Sequence, residues 1–157
     1  MCQSDVWAAK PQSSFAAYWS FPITSATATA ISPKTRLRRS LEDACYIAKI
    51  CEEFRGKDTV VLDLTGVTPI MDFFVISTGT STRQMHAMSD EVRVQMKARG
   101  HKPPATEGYE QSTWILQDWG DIILHSFLPD ARELYDLEGL WADAKPVDWR
   151  AILAEST

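Results

Sequence analysis

The segment Gly79-Thr-Ser-Thr-Arg83 has residue types that suit phosphate binding, because a glycine and three hydroxyl residues lie between a predicted strand and a predicted helix. Backbone amides and the helix dipole bind phosphate at such a junction. The segment lacks the lysine of a P-loop and the glycine spacing of a dinucleotide-binding loop. We therefore favour a structural interpretation, in which Gly79 adopts an unusual backbone angle in a tight turn and Ser81 caps the helix. Arg83 and Gln84 would then lie on the helix surface.

The aspartates do not form the pattern that phosphoryl or nucleotidyl transfer requires. Two-metal chemistry needs carboxylates clustered around a pair of magnesium ions, usually from an Asp-x-Asp on one strand. Asp118 and Asp121 are separated by a predicted turn, and Asp63 and Asp72 lie on separate predicted elements. The sequence therefore argues against this chemistry.

The three histidines, His86, His101 and His125, show no i, i+4 pairing of the kind that binds zinc on a helix. No serine or cysteine occupies a nucleophile-elbow sequence. His125 lies in an apolar run and is predicted to be a hydrogen-bonded core residue. Nothing in these residues points to a hydrolase, and we predict no metal and no cofactor.

Charge is distributed unevenly along the 157 residues, whose net charge is −5. Residues 1–39 contain five basic residues and one acid, so they carry +4 and the rest of the chain carries −9. An acidic body disfavours nucleic acid, because affinity for it depends on neutralising phosphates. A basic protein partner fits better, although acidic surface also simply keeps proteins soluble. No apolar run is long enough to cross a bilayer.

Residues 1–38 are rich in Ser, Thr, Ala and Pro and show neither helical nor strand periodicity, so we predict an irregular extension. The unpaired set Cys2, Cys45 and Cys51 indicates a reducing compartment. We predict a cytoplasmic protein. The alternative is a mitochondrial or plastid protein, with the acid-poor extension as its transit peptide.

Residues 39–145 are predicted to form one folded domain, followed by a tail at 146–157. Apolar periodicity and turn residues predict helix, strand, strand, helix, hairpin and short helix, in that order. This order predicts a mixed α/β layer, with a single sheet of four to five strands and helices mainly on one face. The predicted helices begin at Ser40, Ser81 and Pro129, and the predicted strands are 59–64, 72–77, 113–117 and 122–127.

Two further features concern packing. Cys45 and Cys51 lie in the apolar stripe of the first helix and are predicted to be small buried residues. In the last predicted helix Leu134 and Leu137 are predicted to face inward, and Gly139-Leu-Trp141 is predicted to close the domain. The aromatic residues before it either complete a thin core or form a binding patch with acidic neighbours.

Three ordered segments resemble the ribosomal silencing factor family, also called the Iojap-like family. The similarity covers Ile70-Met-Asp-Phe-Phe-Val-Ile-Ser-Thr-Gly-Thr-Ser-Thr-Arg-Gln84, Trp114-Ile-Leu-Gln-Asp-Trp-Gly-Asp-Ile-Ile-Leu-His125 and Arg132-Glu-Leu-Tyr-Asp-Leu-Glu-Gly-Leu-Trp141. Members of the family resemble nucleotidyltransferases in fold but are not known as enzymes. They bind ribosomal protein L fourteen of the large subunit and block joining of the small subunit.

The resemblance implies that this protein represses translation through the large subunit, with little or no direct contact to nucleic acid and no membrane. We predict that the hairpin and the closing segment bind the ribosomal protein. The contact residues proposed on this basis are Trp114, Asp118, Asp121, Tyr135, Leu137, Glu138 and Trp141. A nucleotidyltransferase-like enzyme and a dimeric scaffold, in which the chain forms a homodimer, are the alternatives.

Overall fold

The computed structural model describes residues 31–155. Nearly all of the predicted extension, including Cys2, lies outside the described residues. The elements are α1 (Pro33–Glu53), β1 (Lys57–Asp63), β2 (Phe73–Thr78), α2 (Thr82–Ala98), β3 (Ala105–Glu107), β4 (Trp114–Asp118), β5 (Ile122–Phe127), α3 (Pro129–Tyr135), α4 (Leu137–Leu140), β6 (Lys145–Val147) and α5 (Trp149–Glu155). None of the helices in this part of the chain is long and apolar enough to cross a membrane.

The strands form one mixed sheet in the order β3-β4-β5-β2-β1-β6. β2 and β5 pair in parallel, and every other neighbouring pair is antiparallel. The predicted mixed sheet and the β4–β5 hairpin are confirmed. The prediction of four to five strands missed the outer strands β3 and β6, because three residues are too few to display an alternating pattern.

The N-cap of the first helix lies eight residues earlier than predicted. Ser32 is the N-cap, with its hydroxyl accepting a hydrogen bond from the Thr35 amide at 3.2 Å, and Pro33 occupies the first turn. Proline suits this place because its fixed φ is helical and its missing N–H would have no helical partner. The predicted cap, Ser40, instead donates its hydroxyl to the Arg36 carbonyl at 3.2 Å inside the helix.

The sheet separates two apolar clusters, because alternate side chains of each strand point to opposite faces. β2 is buried on both faces and supplies Phe73 and Val75 to the first cluster and Phe74 and Ile76 to the second. α1, α2 and α5 pack on the first cluster, which also buries Cys45 and Cys51 as predicted. The short α3 and α4 border the second.

The fold continues past Trp141, so the prediction that this residue closes it is wrong. β6 pairs with β1, where Val147 lies opposite Val61, and α5 packs on α1. Trp149 is buried, and its indole N–H donates to the Thr59 carbonyl at 3.2 Å. Residues 146–155 therefore belong to the packed structure. A three-residue strand containing a proline and a seven-residue helix gave too short a pattern to be recognised.

Candidate functional site

The sheet face opposite the long helices carries a connected group of aromatic rings, here called the aromatic face. Trp114 stacks on Phe127 with ring centroids 5.0 Å apart, and Tyr135 lies 4.7 Å from Trp114. Phe74 meets Trp141 edge-on at 5.5 Å. The register of β2, β4 and β5 causes this grouping, because it places Thr78, Trp114 and Phe127 side by side. The aromatic face consists of Phe74, Trp114, His125, Phe127, Tyr135 and Trp141.

Large apolar side chains next to this face remain in solvent. Leu134 is 77% exposed, Leu140 is 73% exposed and Tyr135 is 50% exposed. The prediction that Leu134 faces inward is therefore wrong. α3 has only seven residues, none of them buried, and it packs against the second cluster through Ala131. The side of α3 that carries Leu134 consequently stays accessible.

The structure brings four of the seven predicted contact residues together. Trp114, Tyr135 and Trp141 belong to the aromatic face, and Leu137 lies buried in the second cluster. Leu137 therefore supports the surface from within. Sequence reasoning missed Phe74 and His125 as members of this face, because the parallel pairing of β2 with β5 joins segments about fifty residues apart.

Glu138, another predicted contact, is held by Arg132, whose guanidinium donates two hydrogen bonds to its carboxylate. The same guanidinium donates to the Asp58 carbonyl and to the Thr78 hydroxyl, each at 2.7 Å. Arg132 is only 15% exposed. It therefore ties α3 and α4 to the ends of β1 and β2 and fixes the exposed leucines relative to the sheet. Nothing in the helical pattern of the sequence distinguished this arginine.

The two remaining predicted residues lie at the other end of the hairpin. Asp118 accepts a hydrogen bond from the Gly120 amide at 2.7 Å and so stabilises the β4–β5 turn. Asp121 accepts hydrogen bonds from the Arg36 guanidinium at 3.0 Å and from the Ser40 hydroxyl at 3.3 Å. Strand geometry places the turn about 13 Å from Trp114, four residues away along β4. These aspartates therefore do not border the exposed leucines.

Asp72 lies beside Asp121, a proximity that the linear sequence did not reveal. Burial raises the pKa of the Asp72 carboxyl, and the neighbouring charge of Asp121 raises it further, while Arg36 opposes both effects. The side chains described for residues 31–155 include no cluster of three or more His, Cys, Asp or Glu residues arranged to hold a metal ion. The carboxylates here balance Arg36 instead.

His125 is 4% exposed, and its Nδ1 accepts a hydrogen bond from the Trp114 indole N–H at 3.2 Å. A neutral imidazole that accepts at Nδ1 carries its proton on Nε2. Nε2 is buried and has no hydrogen-bond partner among the described residues. Burial lowers the pKa of His125 to about 4, so the ring is neutral at physiological pH. The predicted core position of His125 is confirmed, and its bond to Trp114 fixes that indole.

The segment after β2 was predicted to form a tight turn and a helix cap, and the structure confirms this in part. Ser81 caps α2, as predicted, by accepting from the Gln84 amide at 3.3 Å. Arg83 is exposed, whereas Gln84 is half-buried and donates to the Phe54 carbonyl at 2.8 Å. The prediction of an unusual backbone angle at Gly79 is wrong, because its φ is not positive. Glycine is required there because a Cβ would overlap the side chain of Met85.

One serine and one histidine do approach each other, where His86 Nε2 lies 2.6 Å from the Ser112 hydroxyl. The same nitrogen lies 2.8 Å from the Tyr109 carbonyl, which only accepts hydrogen bonds, so Nε2 must carry the proton. A protonated nitrogen does not act as a base toward the hydroxyl. Ser112 is also buried. The pair therefore fastens the loop between β3 and β4.

The surface beside the aromatic face is acidic. Residues 129–144, which include α3 and α4, contain five carboxylates and one arginine. The arginine is Arg132, which Glu138 already neutralises in part. The exposed leucines of this segment thus lie in negatively charged surroundings. Apolar anchors within a charged border are typical of protein-binding surfaces.

Comparison with known proteins places the chain in a family. The model of the family described as "Ribosomal silencing factor during starvation" matches residues 38–157. The ribosomal silencing factor RsfS of Chromobacterium violaceum is 38% identical over 95 residues, which span 60% of this chain and 78% of the relative. The mouse protein named "Mitochondrial assembly of ribosomal large subunit protein 1" is 30% identical over 118 residues, 73% of this chain and 52% of the relative.

A solved structure agrees with this assignment. The crystal structure of a Chromobacterium violaceum protein superimposes with a TM-score of 0.62 at 34% sequence identity, covering 68% of this chain and 90% of that one. The family match includes every strand of the sheet and the whole aromatic face. The chain therefore belongs to the ribosomal silencing factor family.

Proposed function

We propose that this protein silences the large ribosomal subunit by binding ribosomal protein L fourteen, and that the bound protein prevents the small subunit from joining. The observation that carries the proposal is the exposure of Leu134, Tyr135 and Leu140 on an acidic segment that Arg132 holds in place. No chemical step is needed, because a bound protein of this size excludes the other subunit from the volume it occupies.

Burial of apolar surface would supply most of the binding free energy. Each exposed leucine, once covered, contributes on the order of 2 kcal/mol. The carboxylates of residues 129–144 would complement a basic ribosomal protein and raise the rate of association. The buried rings of the aromatic face would support the leucines without moving, so little conformational entropy would be lost on binding.

The sequence-based set of contact residues changes accordingly in this proposal. Tyr135 and the accessible edges of Trp114 and Trp141 are retained as contacts, and Leu134 and Leu140 are added. The other predicted residues support the surface or stabilise turns instead; they are Leu137, Glu138, Asp118 and Asp121. A charge reversal at Glu138 would therefore disturb Arg132 as well as any partner.

The experiment is co-sedimentation of the purified protein with separated large and small subunits, followed by a subunit-joining assay. The wild-type protein should sediment with the large subunit only and prevent joining. Leu134→Lys with Leu140→Lys should lose both properties. Val94→Lys is the matched control, since Val94 is a 58% exposed apolar residue on α2, across the sheet. Loss of binding in the control, or wild-type binding to neither subunit, would refute the proposal.

Sedimentation of the free protein tests the scaffold alternative. If the chain associates with itself through the same leucines, the molecular mass of the wild type rises with concentration. The double variant Leu134→Lys with Leu140→Lys then stays monomeric. Combined with absence of ribosome binding, that result would replace the proposed function with a dimeric scaffold.

We further propose that the protein acts in the cytoplasm, as predicted from the sequence. The mouse relative is named as mitochondrial, which keeps an organelle as the alternative. A fluorescent fusion to the complete chain, compared with one beginning at residue 31, distinguishes them. Organellar fluorescence that depends on residues 1–30 would overturn the cytoplasmic assignment.

A further inference from the structure

The first two turns of α1, residues 33–39, extend beyond the packed structure and are here called the basic turns. Each of these residues is exposed, and the buried residues of the helix begin at Ser40. The family match begins at residue 38, so most of this segment precedes it. The basic turns are therefore not needed to complete the core, and their sequence is free to serve another purpose.

The basic turns contain Lys34, Arg36, Arg38 and Arg39, and no acid occurs between residues 31 and 41. Cations near the start of a helix oppose its dipole, and like charges four residues apart, such as Lys34 and Arg38, repel each other. This arrangement destabilises the helix locally. Violations of such local rules are expected at functional or strained sites.

Neighbouring acids do not remove the positive charge. Glu42 accepts from Arg38 at 2.9 Å, and Asp121 accepts from Arg36 at 3.0 Å. A third acid, Asp43, accepts from Arg99 at 2.8 Å. Arg38 and Arg99 are thus each matched by one carboxylate, whereas Arg36 is shared by Asp121 and by Asp72, whose carboxylate lies 3.8 Å from the guanidinium. Lys34 and Arg39 form no ion pair with any residue in the described range 31–155, so their charges stay available to a partner.

Arg39 lines a depression of about 600 Å³ together with Arg36, Arg99 and His101, and the paired carboxylates Glu42, Asp43 and Asp121 line it as well. Guanidinium groups present planar forks that match phosphate oxygens. Residues 31–41 contain no aromatic side chain, and Trp119, which lines the depression, packs against the first cluster with its indole nitrogen buried, so an unpaired base has little ring surface on which to stack. The chemistry therefore fits a double-stranded phosphate backbone better than single-stranded nucleic acid.

We propose that the basic turns bind the phosphate backbone of double-stranded RNA on the large ribosomal subunit. This inference rests on the proposed function, which brings the protein to that subunit. α1 packs on the cluster across the sheet from the aromatic face, so protein and RNA contacts do not compete for one surface. The acidic body sets the net charge, whereas the basic turns act locally within about 8 Å, the screening distance at physiological salt.

The test measures binding of the full chain to a fluorescent RNA duplex of arbitrary sequence, by anisotropy at several salt concentrations. Lys34→Gln with Arg39→Gln should weaken binding about tenfold at physiological salt and make the negative slope of log affinity against log salt shallower by about two. Lys57→Gln with Lys145→Gln is the matched control. It removes the same charge from two other exposed lysines and should change affinity less than about twofold.

Binding to the purified ribosomal protein separates this inference from the proposed function. The double variant at Lys34 and Arg39 should bind that protein like the wild type. Wild-type RNA binding with no affinity for the ribosomal protein would support the basic turns and refute the proposed function. Equal RNA affinities of the two double variants, or wild-type RNA binding that does not depend on salt, would overturn the present inference.

Discussion

The helix-covered face of the sheet is closed, whereas the aromatic face leaves large apolar side chains in solvent. On the first face, Met88, Val92 and Met96 of α2 are fully buried against the strands. On the second, Leu134 and Leu140 are each more than 70% exposed. The exposed leucines lie on the covering helices and not on the strands, so the difference arises in those helices. α1 and α2 span their face, whereas α3 and α4 have only seven and four residues.

The comparison separates stability from binding. Complete burial indicates that the helix-covered face serves folding. Exposed leucines contribute little to folding, and their position on an ordered, arginine-anchored segment supports the proposed binding surface. Substitutions on the two faces should therefore affect different measurements.

Leu124 and Ile123 are consecutive residues of β5 that point to opposite faces, and they test this separation most strongly. Leu124→Ala should lower the free energy of unfolding by about 2–5 kcal/mol, because it leaves a cavity in the fully buried cluster. Ile123→Ala should have a smaller effect, roughly 1–2 kcal/mol, because Ile123 is half-buried. Urea unfolding measures both. Equal losses would show that the two faces contribute alike to folding.

His125 gives the aromatic face a pH dependence. Burial lowers its pKa from 6.5 to about 4, so the unfolded chain binds a proton more readily than the folded one between these values. Above about pH 6.5 this group therefore leaves the free energy of unfolding unchanged. As the pH falls toward 4, the free energy of unfolding decreases by roughly 3 kcal/mol.

The readout is urea unfolding at pH 7 and pH 5, together with the fluorescence of Trp114. Protonation places a hydrogen on Nδ1, facing the Trp114 indole N–H, and should displace that ring. His125→Gln should reduce the pH dependence between 6.5 and 4. An unchanged dependence in this variant would assign the titration to other groups.

Arg132→Met should weaken both stability and binding, because it removes the ties from α3 to Asp58, Thr78 and Glu138. We expect a loss of roughly 1–3 kcal/mol in unfolding free energy. The fraction of protein that co-sediments with the large subunit should fall by more than the increase in unfolded protein accounts for. Arg93→Met is the control, since Arg93 makes an exposed pair with Asp90 on α2. If Arg132→Met binds the large subunit as well as the wild type does, the hydrogen bonds of Arg132 do not position the surface.

The smallest effect on folding is expected at the leucines themselves. Leu134→Ser and Leu140→Ser should change the unfolding free energy by less than about 0.5 kcal/mol, as exposed positions generally do. Their effect on binding should be large by comparison. A substantial loss of stability in either variant would mean that the leucine packs against the protein in solution. That leucine would then not belong to the proposed binding surface.

Much of the architecture was predictable because it is encoded locally. Runs of β-branched, aromatic and apolar residues bounded by turn residues identified β1, β2 and the β4–β5 hairpin, and a three- to four-residue period identified the core of α1 and all of α2. Elements with three residues, such as β3 and β6, hold too little pattern and form only because a neighbouring strand supplies hydrogen bonds. The start of α1 was missed because its first two turns bury nothing, so no apolar period marks them.

The candidate site was predicted less completely than the fold. Aromatic content near the hairpin pointed to Trp114, Tyr135 and Trp141, which the structure groups on one face. Asp118 and Asp121 seemed close in sequence, but strand direction carries them to the far end of the hairpin. Side chains at opposite ends of one strand do not share a surface patch.

The sequence by itself determined the family, the order of the main elements and the acidic character of the segment around α3 and α4, because composition and periodicity are properties of the linear chain. Only the tertiary structure decided which face stays open. The parallel pairing of β2 with β5 assembles the aromatic face, and Arg132 fixes the exposed leucines beside it. These contacts join residues that are distant in sequence, so no local pattern records them.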